Sequence, residues 1–595
     1  MTTMERPESG ISDFHTNAKS RRYDTERYGG ATGLNWWNAD PTVQFLADFY
    51  LDEREQEAAR PYLEEAGALL GGPVSERADI TDQHPPYLVK YDRWGHDISH
   101  VVMPESMEHS KREIIAMRRR MNEAMHAASV RTAFTGAAFS YMLNQAEVGM
   151  SCALGTGLDM IADLVDKYAP ADIRDSLMPR IEAGEFDGET AQMLTERTGG
   201  SDLGQLETTA TPNGDAYLLN GVKWFASNAN GKAFVVLAKP EGATDDQKGV
   251  NSFLVLLDRR DGSRNGVYIR QLKDKLGTKA VASCEIEFKD AEAFILSGKS
   301  EGRSSATGDG AGLSRMMALT NGSRIGVAAM GLGCARRALV ESLCYARARE
   351  AFGQPILQHP LMRRKLAELI VEVEATQALV FDSYYIPNRV RAAGAGGRLR
   401  LTPALVKLKA ARLGITAASD AIEVHGGNGY CETWPVARIL RDAQVNTVWE
   451  GTDNILCLDV RRSIEREGAD VPFIERLREA VANAGEGGST AALVAERITD
   501  LENAIGSWKT LERRTAEARL YPLAQFMIDV YAGALLLEQA KWESDRGGTR
   551  KALVARLWAQ SHLADGGALR GIDAPDDDAL DHFDELAAGA LTFDS

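Results

Sequence analysis

The hydrophobic period of this chain changes twice along its length, and those two changes bound what it can fold into. From Pro41 to about Asp187 apolar residues recur at helical spacing, as in Thr42-Val43-Gln44-Phe45-Leu46-Ala47-Asp48-Phe49-Tyr50, interrupted by a Pro/Gly-rich connection from Gly71 to Gly95. From about Glu189 to Phe294 the pattern becomes short β-rich runs between turn signals, such as Ala233-Phe234-Val235-Val236-Leu237-Ala238 and Ser252-Phe253-Leu254-Val255-Leu256-Leu257. A Gly/Ser-rich stretch from Gly298 to Gly312 then leads into helical spacing from Leu313 to about Arg466, enough for a four-helix bundle. Strands and helices are segregated, which predicts an α+β fold. The expected units are a polar N-terminal arm with no assigned fold (1–35), an N-terminal helical domain (36–189), a middle antiparallel β domain (190–305), a C-terminal helical bundle (306–465) and an appended acidic helical domain (466–595).

Size and charge narrow the function. With 595 residues, 44% apolar and 26% charged, the chain can bury several sizeable cores and has the composition of an ordinary globular protein. A net charge of -17 disfavours nucleic acid as a partner, and residues 463–595 alone hold 14 Lys/Arg against 24 Asp/Glu. The densest basic run, Arg118 to Arg120, reads as a solvated helix face. No run of 18 apolar residues and no signal-like N-terminus occurs, so the expectation is a cytoplasmic protein without a membrane span. Six cysteines lack CxxC spacing and read as reduced structural thiols, with no metal site implied.

The common nucleotide-binding motifs are missing. Gly331-Leu332-Gly333 begins like a dinucleotide fingerprint, but Arg336 stands where the third glycine belongs, so it reads as a helix packing point. GxxxxGK[ST] is absent. Three other segments carry chemistry. Met193-Leu194-Thr195-Glu196-Arg197-Thr198-Gly199-Gly200-Ser201-Asp202, with Gly221-Val222-Lys223-Trp224 following, offers hydroxyls, flexible amides and an indole suited to a flat polar ring. Tyr345-Ala346-Arg347-Ala348-Arg349-Glu350-Ala351-Phe352-Gly353-Gln354 closes a helix with arginines. Val424-His425-Gly426-Gly427-Asn428-Gly429-Tyr430 and Trp449-Glu450-Gly451-Thr452-Asp453-Asn454 combine a Gly-Gly turn, open to close approach, with a carboxylate at a helix break.

In this order, on a helix, β, helix layout, the three segments resemble the acyl-CoA dehydrogenase family over roughly residues 140 to 465. The resemblance implies FAD held between the β domain and the bundle and touched by a neighbouring subunit, hence a homo-oligomer, expected to be a tetramer. It implies that Met193, Leu194, Thr195 and Ser201 form the flavin loop, with Trp224 against the flavin. Ser227 stands in for the family hydroxyl that is Ala226 here. Arg349 and Phe352 are implied at a neighbour's pyrophosphate, Gly426, Gly427, Thr452 and Asn454 at the rest of the dinucleotide, and Arg324 near the acyl-CoA thioester. The family's later glutamine is Pro360 in this sequence. The flavin loop and the Gly-Gly turn are expected to converge on one cleft.

Glu450 matches the family's catalytic base. The alternative base position is Asn321-Gly322-Ser323, without a carboxylate; Glu432 is the nearest rival by position, and His425 reads as a packed helix-end histidine. The implied reaction is α,β-desaturation of an acyl thioester, with the α proton taken by Glu450 and hydride passed to flavin N5, and with an electron-transfer flavoprotein as reoxidant. The total length, the run Pro85-Pro86-Tyr87-Leu88-Val89-Lys90-Tyr91-Asp92 and the appended helical region resemble more narrowly the AidB-like, adaptive alkylation-response branch. The acidity of residues 463–595 argues against carrying over that branch's DNA-binding association. A nucleic-acid-associated or stress-protective flavoprotein with weak dehydrogenase activity, and a flavin oxidase or monooxygenase on the same fold, are the alternative functions.

Overall fold

The computed structural model describes residues 30–155, 158–297, 311–393, 400–485, 488–565 and 577–592. Most of the expected N-terminal arm, residues 1–29, lies outside these. Its end is not loose: the Ala31 N–H donates to Glu341 Oε2 at 3.3 Å, Arg337 donates to Thr32 Oγ1 at 2.9 Å, and the Gly33 N–H donates to Gly71 O at 2.8 Å. Polar composition suggested an arm, but these few hydrogen bonds and the buried indoles of Trp36 and Trp37 tie it to the core.

The N-terminal helices begin at side-chain caps that the sequence supplies. Asp40 accepts the backbone N–H groups of Thr42 and Val43 at the start of α1 (Pro41–Tyr50), and Asp52 with Glu55 forms a reciprocal capping box on α2 (Glu53–Leu69). The stretch expected as a Pro/Gly-rich connection is more ordered than that. A π turn over Leu70–Val74 leads into α3 (Ser75–Gln83), and a hairpin of β1 (Tyr87–Tyr91) and β2 (Asp97–Val102) follows. Lys90 Nζ ties this hairpin to the β domain through Ile269 O at 2.6 Å. Then come α4 (Glu105–Ala127), α5 (Ala133–Ala146), α6 (Val148–Gly155), α7 (Leu158–Tyr168) and α8 (Ala171–Glu182). Arg119 and Arg120 of α4 pair with Asp187 and Glu65 on the surface, as a solvated face should.

The β domain is one seven-stranded sheet: β3 (Thr190–Met193), β4 (Thr209–Asn213), β5 (Ala216–Ala226), β6 (Ala233–Pro240), β7 (Asn251–Leu256), β8 (Val267–Leu272) and β9 (Cys284–Ile295). Most pairs are antiparallel, as the turn-rich texture predicts. β6 also pairs in parallel with β3 and with β4, because β3 reaches it by way of an intervening hairpin and not by a tight turn. Its sequence, AFVVLAKP, is buried almost throughout, which suits a strand covered on both faces.

The bundle contains α9 (Gly312–Ala348), a short hairpin of β10 (Glu350–Ala351) and β11 (Gln354–Pro355), α10 (Pro360–Ala393), α11 (Thr402–His425), α12 (Pro435–Gln444) and α13 (Asp453–Glu467). α9 and α11 run in the same direction. They touch at Gly331, where an added Cβ would lie 2.4 Å from Ala410 O, and at Gly414, where it would lie 2.8 Å from Gly331 O. Gly331 and Gly333 thus serve as packing points: a Cβ on Gly333 would meet the Asn144 Cβ of α5 at 2.4 Å.

The appended domain comprises α14 (Asp470–Ala484), α15 (Gly488–Lys509), α16 (Arg513–Ala518), α17 (Leu520–Ser544), α18 (Arg550–His562), α19 (Asp578–Asp581) and α20 (Phe583–Ala590). α17 is long and apolar enough to cross a membrane, with a mean hydropathy of 1.5, but 72% of that window is buried and it packs on α14, α15 and α18. Its apolarity is accounted for by a protein core. Buried ion pairs join this domain to α10: Glu374 with Arg550 and Lys551, and Asp382 with Arg476 and the Tyr531 hydroxyl. Glu374 is held down at about 2, since the two cations outweigh the upward push of burial.

Candidate active site

Glu450 stands in the turn between α12 and α13 with φ +56°, and Gly451 follows at φ +102°. A left-handed residue other than glycine costs on the order of 1–2 kcal/mol and persists where its surroundings fix it. Arg324 Nε of α9 donates to Glu450 O at 3.2 Å, and Lys407 Nζ of α11 donates to Gly451 O at 2.6 Å. Arg324 is itself held by Asp459 at 2.5 Å and Asn321 Oδ1 at 3.2 Å. Two cations from two parallel helices therefore clamp successive carbonyls of one turn.

The Glu450 carboxylate receives a different partner. Gln192 Nε2 of β3 donates to its Oε1 at 2.9 Å. Burial pushes the Glu450 carboxyl above the ordinary carboxylate range, while the Gln192 hydrogen bond and the charges of Arg324 and Lys407 pull the other way. Burial likewise pulls Lys407 down to about 8, against the charges of Asp453 and Glu450. The result is a carboxylate with raised proton affinity, the property a general base requires. Glu432, the positional rival, is exposed and lies 3.8 Å from Arg441 Nε.

The first chemical segment meets this site through β3. Met193 is fully buried, whereas Leu194 and Thr195 are half-buried. The main-chain N–H of Trp224 donates to Thr195 O at 2.9 Å, which ties the two segments together. Below them Lys223 is wholly buried against Glu196 at 2.5 Å and donates to Leu237 O at 2.6 Å, and Glu196 also accepts from Thr208. A Cβ on Gly200 would lie 2.8 Å from Thr195 Oγ1, so glycine lets the loop fold back over Thr195. Ser201 is exposed. Lys273 Nζ sits 3.4 Å from the Trp224 ring centroid and Arg197 approaches the same ring at 5.2 Å. Ser227 Oγ lies 3.4 Å from Ser283 Oγ, so part of its hydrogen bonding is directed into the sheet. Hydroxyl, main-chain groups, indole and cations together form a donor set that fits a flavin ring and an anionic linker.

The remaining residues lie elsewhere on the same helices. Tyr345 near the end of α9 stacks on His425 at the end of α11 with centroids 4.2 Å apart, and Asn428 Nδ2 donates to the Tyr345 hydroxyl at 3.2 Å. His425 is buried with Nδ1 2.7 Å from Ala421 O, a packed helix-end residue as expected. The Gly426-Gly427 turn and Arg349 therefore share one end of the bundle. Arg324 precedes Tyr345 by 21 residues, so at 1.5 Å per residue that end is about 32 Å from the Glu450 clamp. Within one chain the flavin loop and the Gly-Gly turn lie at opposite ends of the α9/α11 pair. Thr452 and Asn454, by contrast, sit at the start of α13 beside Glu450. At the far end Phe352 is 97% exposed in the tip of the β10–β11 hairpin with φ +53°, and nothing lies within 4 Å of a Cβ added to Gly426 or Gly427. That opening leaves room for a ligand to approach the backbone.

Sequence reasoning did not single out Gln192 or Lys407. Gln192 was marked only by the alternation of β3, where Ala191 and Met193 point into the core and Gln192 does not.

Three family descriptions match the chain in order: the AidB N-terminal domain of adaptive response proteins over residues 30–188, the acyl-CoA dehydrogenase middle domain over 191–291, and the acyl-CoA dehydrogenase C-terminal domain over 310–465. AidB of Escherichia coli strain K12 is 31% identical over 419 residues, 68% of this chain and 74% of that protein. Among solved structures, Caenorhabditis elegans ACDH-11 in complex with C11-CoA superposes with a TM-score of 0.81 at 24% identity, covering 90% of this chain and 93% of the other. The apo form of Bd2924 gives 0.74 at 27%, covering 86% and 99%. These matches, on a fold in which the sheet and the helical bundle meet at Glu450, define an FAD-dependent oxidoreductase. The chain belongs to the acyl-CoA dehydrogenase family and carries the AidB-type N-terminal domain.

Proposed function

We propose that this protein desaturates an acyl-CoA thioester between Cα and Cβ, with Glu450 as the base. The observation that carries the reading is the clamp: a strained turn held by Arg324 and Lys407 presents a carboxylate of raised proton affinity to Gln192 of β3, the strand that leads into the Thr195 loop. Glu450 takes the α proton, the electrons of the Cα–H bond form the Cα=Cβ bond, and the β hydrogen leaves with its electron pair. FAD, when bound, supplies the two-electron acceptor for that hydrogen. The Glu450 main-chain N–H is the group proposed to polarise the thioester carbonyl, stabilising the enolate-like charge that makes a weakly acidic α proton removable. A Cα proton is otherwise beyond the reach of a carboxylate.

Met193, Leu194, Thr195, Ser201, Trp224 and Ser227 would hold FAD from one subunit, with Thr452 and Asn454 beside Glu450. Arg349, Phe352, Gly426 and Gly427 would contact the cofactor of a second copy, since about 32 Å of helix separates them from their own chain's Glu450. A homotetramer and reoxidation by an electron-transfer flavoprotein belong to the same proposal. C11-CoA bound to ACDH-11 supports a medium-length acyl-CoA as the first substrate to try. Anaerobic mixing of the FAD-loaded protein with acyl-CoAs of graded length should bleach the flavin absorbance. A flavin untouched by the whole panel would overturn the reading.

A further inference from the structure

We infer that Gln192 is the positioning residue of the base: its amide holds Oε1 of Glu450 and leaves Oε2 as the oxygen that takes the proton. The inference rests on the reading of Glu450 as the base, and three observations carry it. The main chain at Glu450 is immobilised, because Arg324 and Lys407 hold the carbonyls of Glu450 and Gly451. Only the side-chain torsions remain to be set, and Gln192 Nε2 at 2.9 Å sets them. The donor itself is rigidly placed. β3 pairs with β6 at Gln192↔Val235, and the residues on either side, Ala191 and Met193, are fully buried.

The third observation is chemical. The two nearby cations direct hydrogen bonds to main-chain carbonyls, and the group on the carboxylate is a neutral amide. A guanidinium or ammonium on Oε1 would form a charge-assisted pair and hold Glu450 ionised, lowering its affinity for the proton it must accept. An amide orients the carboxylate with a smaller loss of basicity. As the substrate Cα–H bond breaks and the Oε2–H bond forms, Oε1 becomes the carbonyl oxygen of a neutral acid and still accepts from Gln192. The contact is therefore weakened, not broken, by the reaction. Because Met193, Leu194 and Thr195 follow Gln192 directly, one strand sets the aim of the base and the start of the loop.

The test uses the full-length FAD-loaded protein and two variants, Gln192→Met and Gln192→Glu. Rapid-mixing reduction by an acyl-CoA that bleaches the parent protein is followed against pH. The protonation midpoint of Glu450 is followed separately by infrared difference spectroscopy, its band assigned by loss in Glu450→Gln. In Gln192→Met the plateau rate should fall about 10-fold to 100-fold with KM little changed. The acid limb and the infrared midpoint should move up together by about one pH unit, and further in Gln192→Glu, where a second carboxylate repels the ionised base. A limb and a midpoint that stay in place in Gln192→Met overturn the positioning role. If Gln192→Met does not fold, Gln192→Asn withdraws the amide by one methylene and gives the same readouts. Undiminished reduction by Glu450→Gln would instead overturn the base assignment, whatever the midpoint does in the Gln192 variants.

Discussion

The two ends of the α9/α11 pair are built in opposite ways. At the Glu450 end, side chains from α9, α11 and β3 fix a strained turn and its carboxylate, and the cations that do so are themselves held by Asp459 and Asn321. At the Tyr345 end an aromatic residue projects almost fully into solvent from a left-handed position, and the Gly-Gly turn has nothing above it. The first end is complete within one chain. The second presents the exposed ring of Phe352 and an open Gly-Gly turn. Under the proposed function, the difference assigns the chemistry to the end that one polypeptide completes and cofactor contact with a second copy to the end it leaves open.

The strongest way to break that contrast is at Glu450. Glu450→Gln should lower the rate of flavin reduction by about 100-fold to 10,000-fold while FAD content stays constant, since glutamine keeps the size and removes the basic oxygen. Rapid mixing with an acyl-CoA decides it, and near-normal reduction would mean that the closed end is not the chemical one. The parent protein should show the matching pH dependence. Glu450 must be ionised to act, and burial sets its folded pKa above 4.5, so the rate should drop about tenfold per pH unit below a limb lying above that value. A limb at or below 4.5 would show the carboxylate to be solvated.

The open end predicts a smaller, different loss. Phe352→Ala should weaken subunit association by about 2 kcal/mol, roughly 30-fold in the dissociation constant, with FAD retention falling alongside. Light scattering and flavin content check it, and a fully flavin-loaded, active monomer would remove the need for a second copy. The smallest effect is expected midway. In Gly331→Ala the new Cβ would lie 2.4 Å from Ala410 O, and only separation of the helix backbones relieves it, at about 1–3 kcal/mol of stability. Calorimetry should record a melting temperature a few degrees lower. An unchanged value would mean that the helices can part freely and that the two ends are not rigidly spaced.

What could be read from sequence was local. Thr195, Trp224 and Glu450 sit in contiguous strings whose residue types suit the proposed task, and the helix, β, helix order follows from hydrophobic period alone. What escaped was set by chain reversal. Lys407 lies among Leu405, Val406 and Leu408 on a helix that periodicity marks as core, and only the arrival of Gly451 from a distant segment gives its ammonium a partner. Gln192 gains meaning only when a residue 258 positions away is brought beside it. The parallel course of α9 and α11, which separates Gly426 and Gly427 from the flavin loop, is a topological fact with no local signal. The hairpin of β1 and β2 was hidden because Pro and Gly at its borders read as a connection, whereas its closing contact is made with β8.

The carboxylates on α10 bear on how this chain could have been extended or could be trimmed. Glu374 and Asp382 lie inside the molecule and face Arg550, Lys551, Arg476 and Tyr531, all supplied by the appended domain. Cutting the chain after α13 would remove both the counter-charges and the helices that cover this face of α10, opening two carboxylates and the apolar surface around them to water together. The added helices are therefore not a detachable passenger: a shortened version for laboratory use would bare the face of α10 that they now cover, with Glu374 and Asp382 on it.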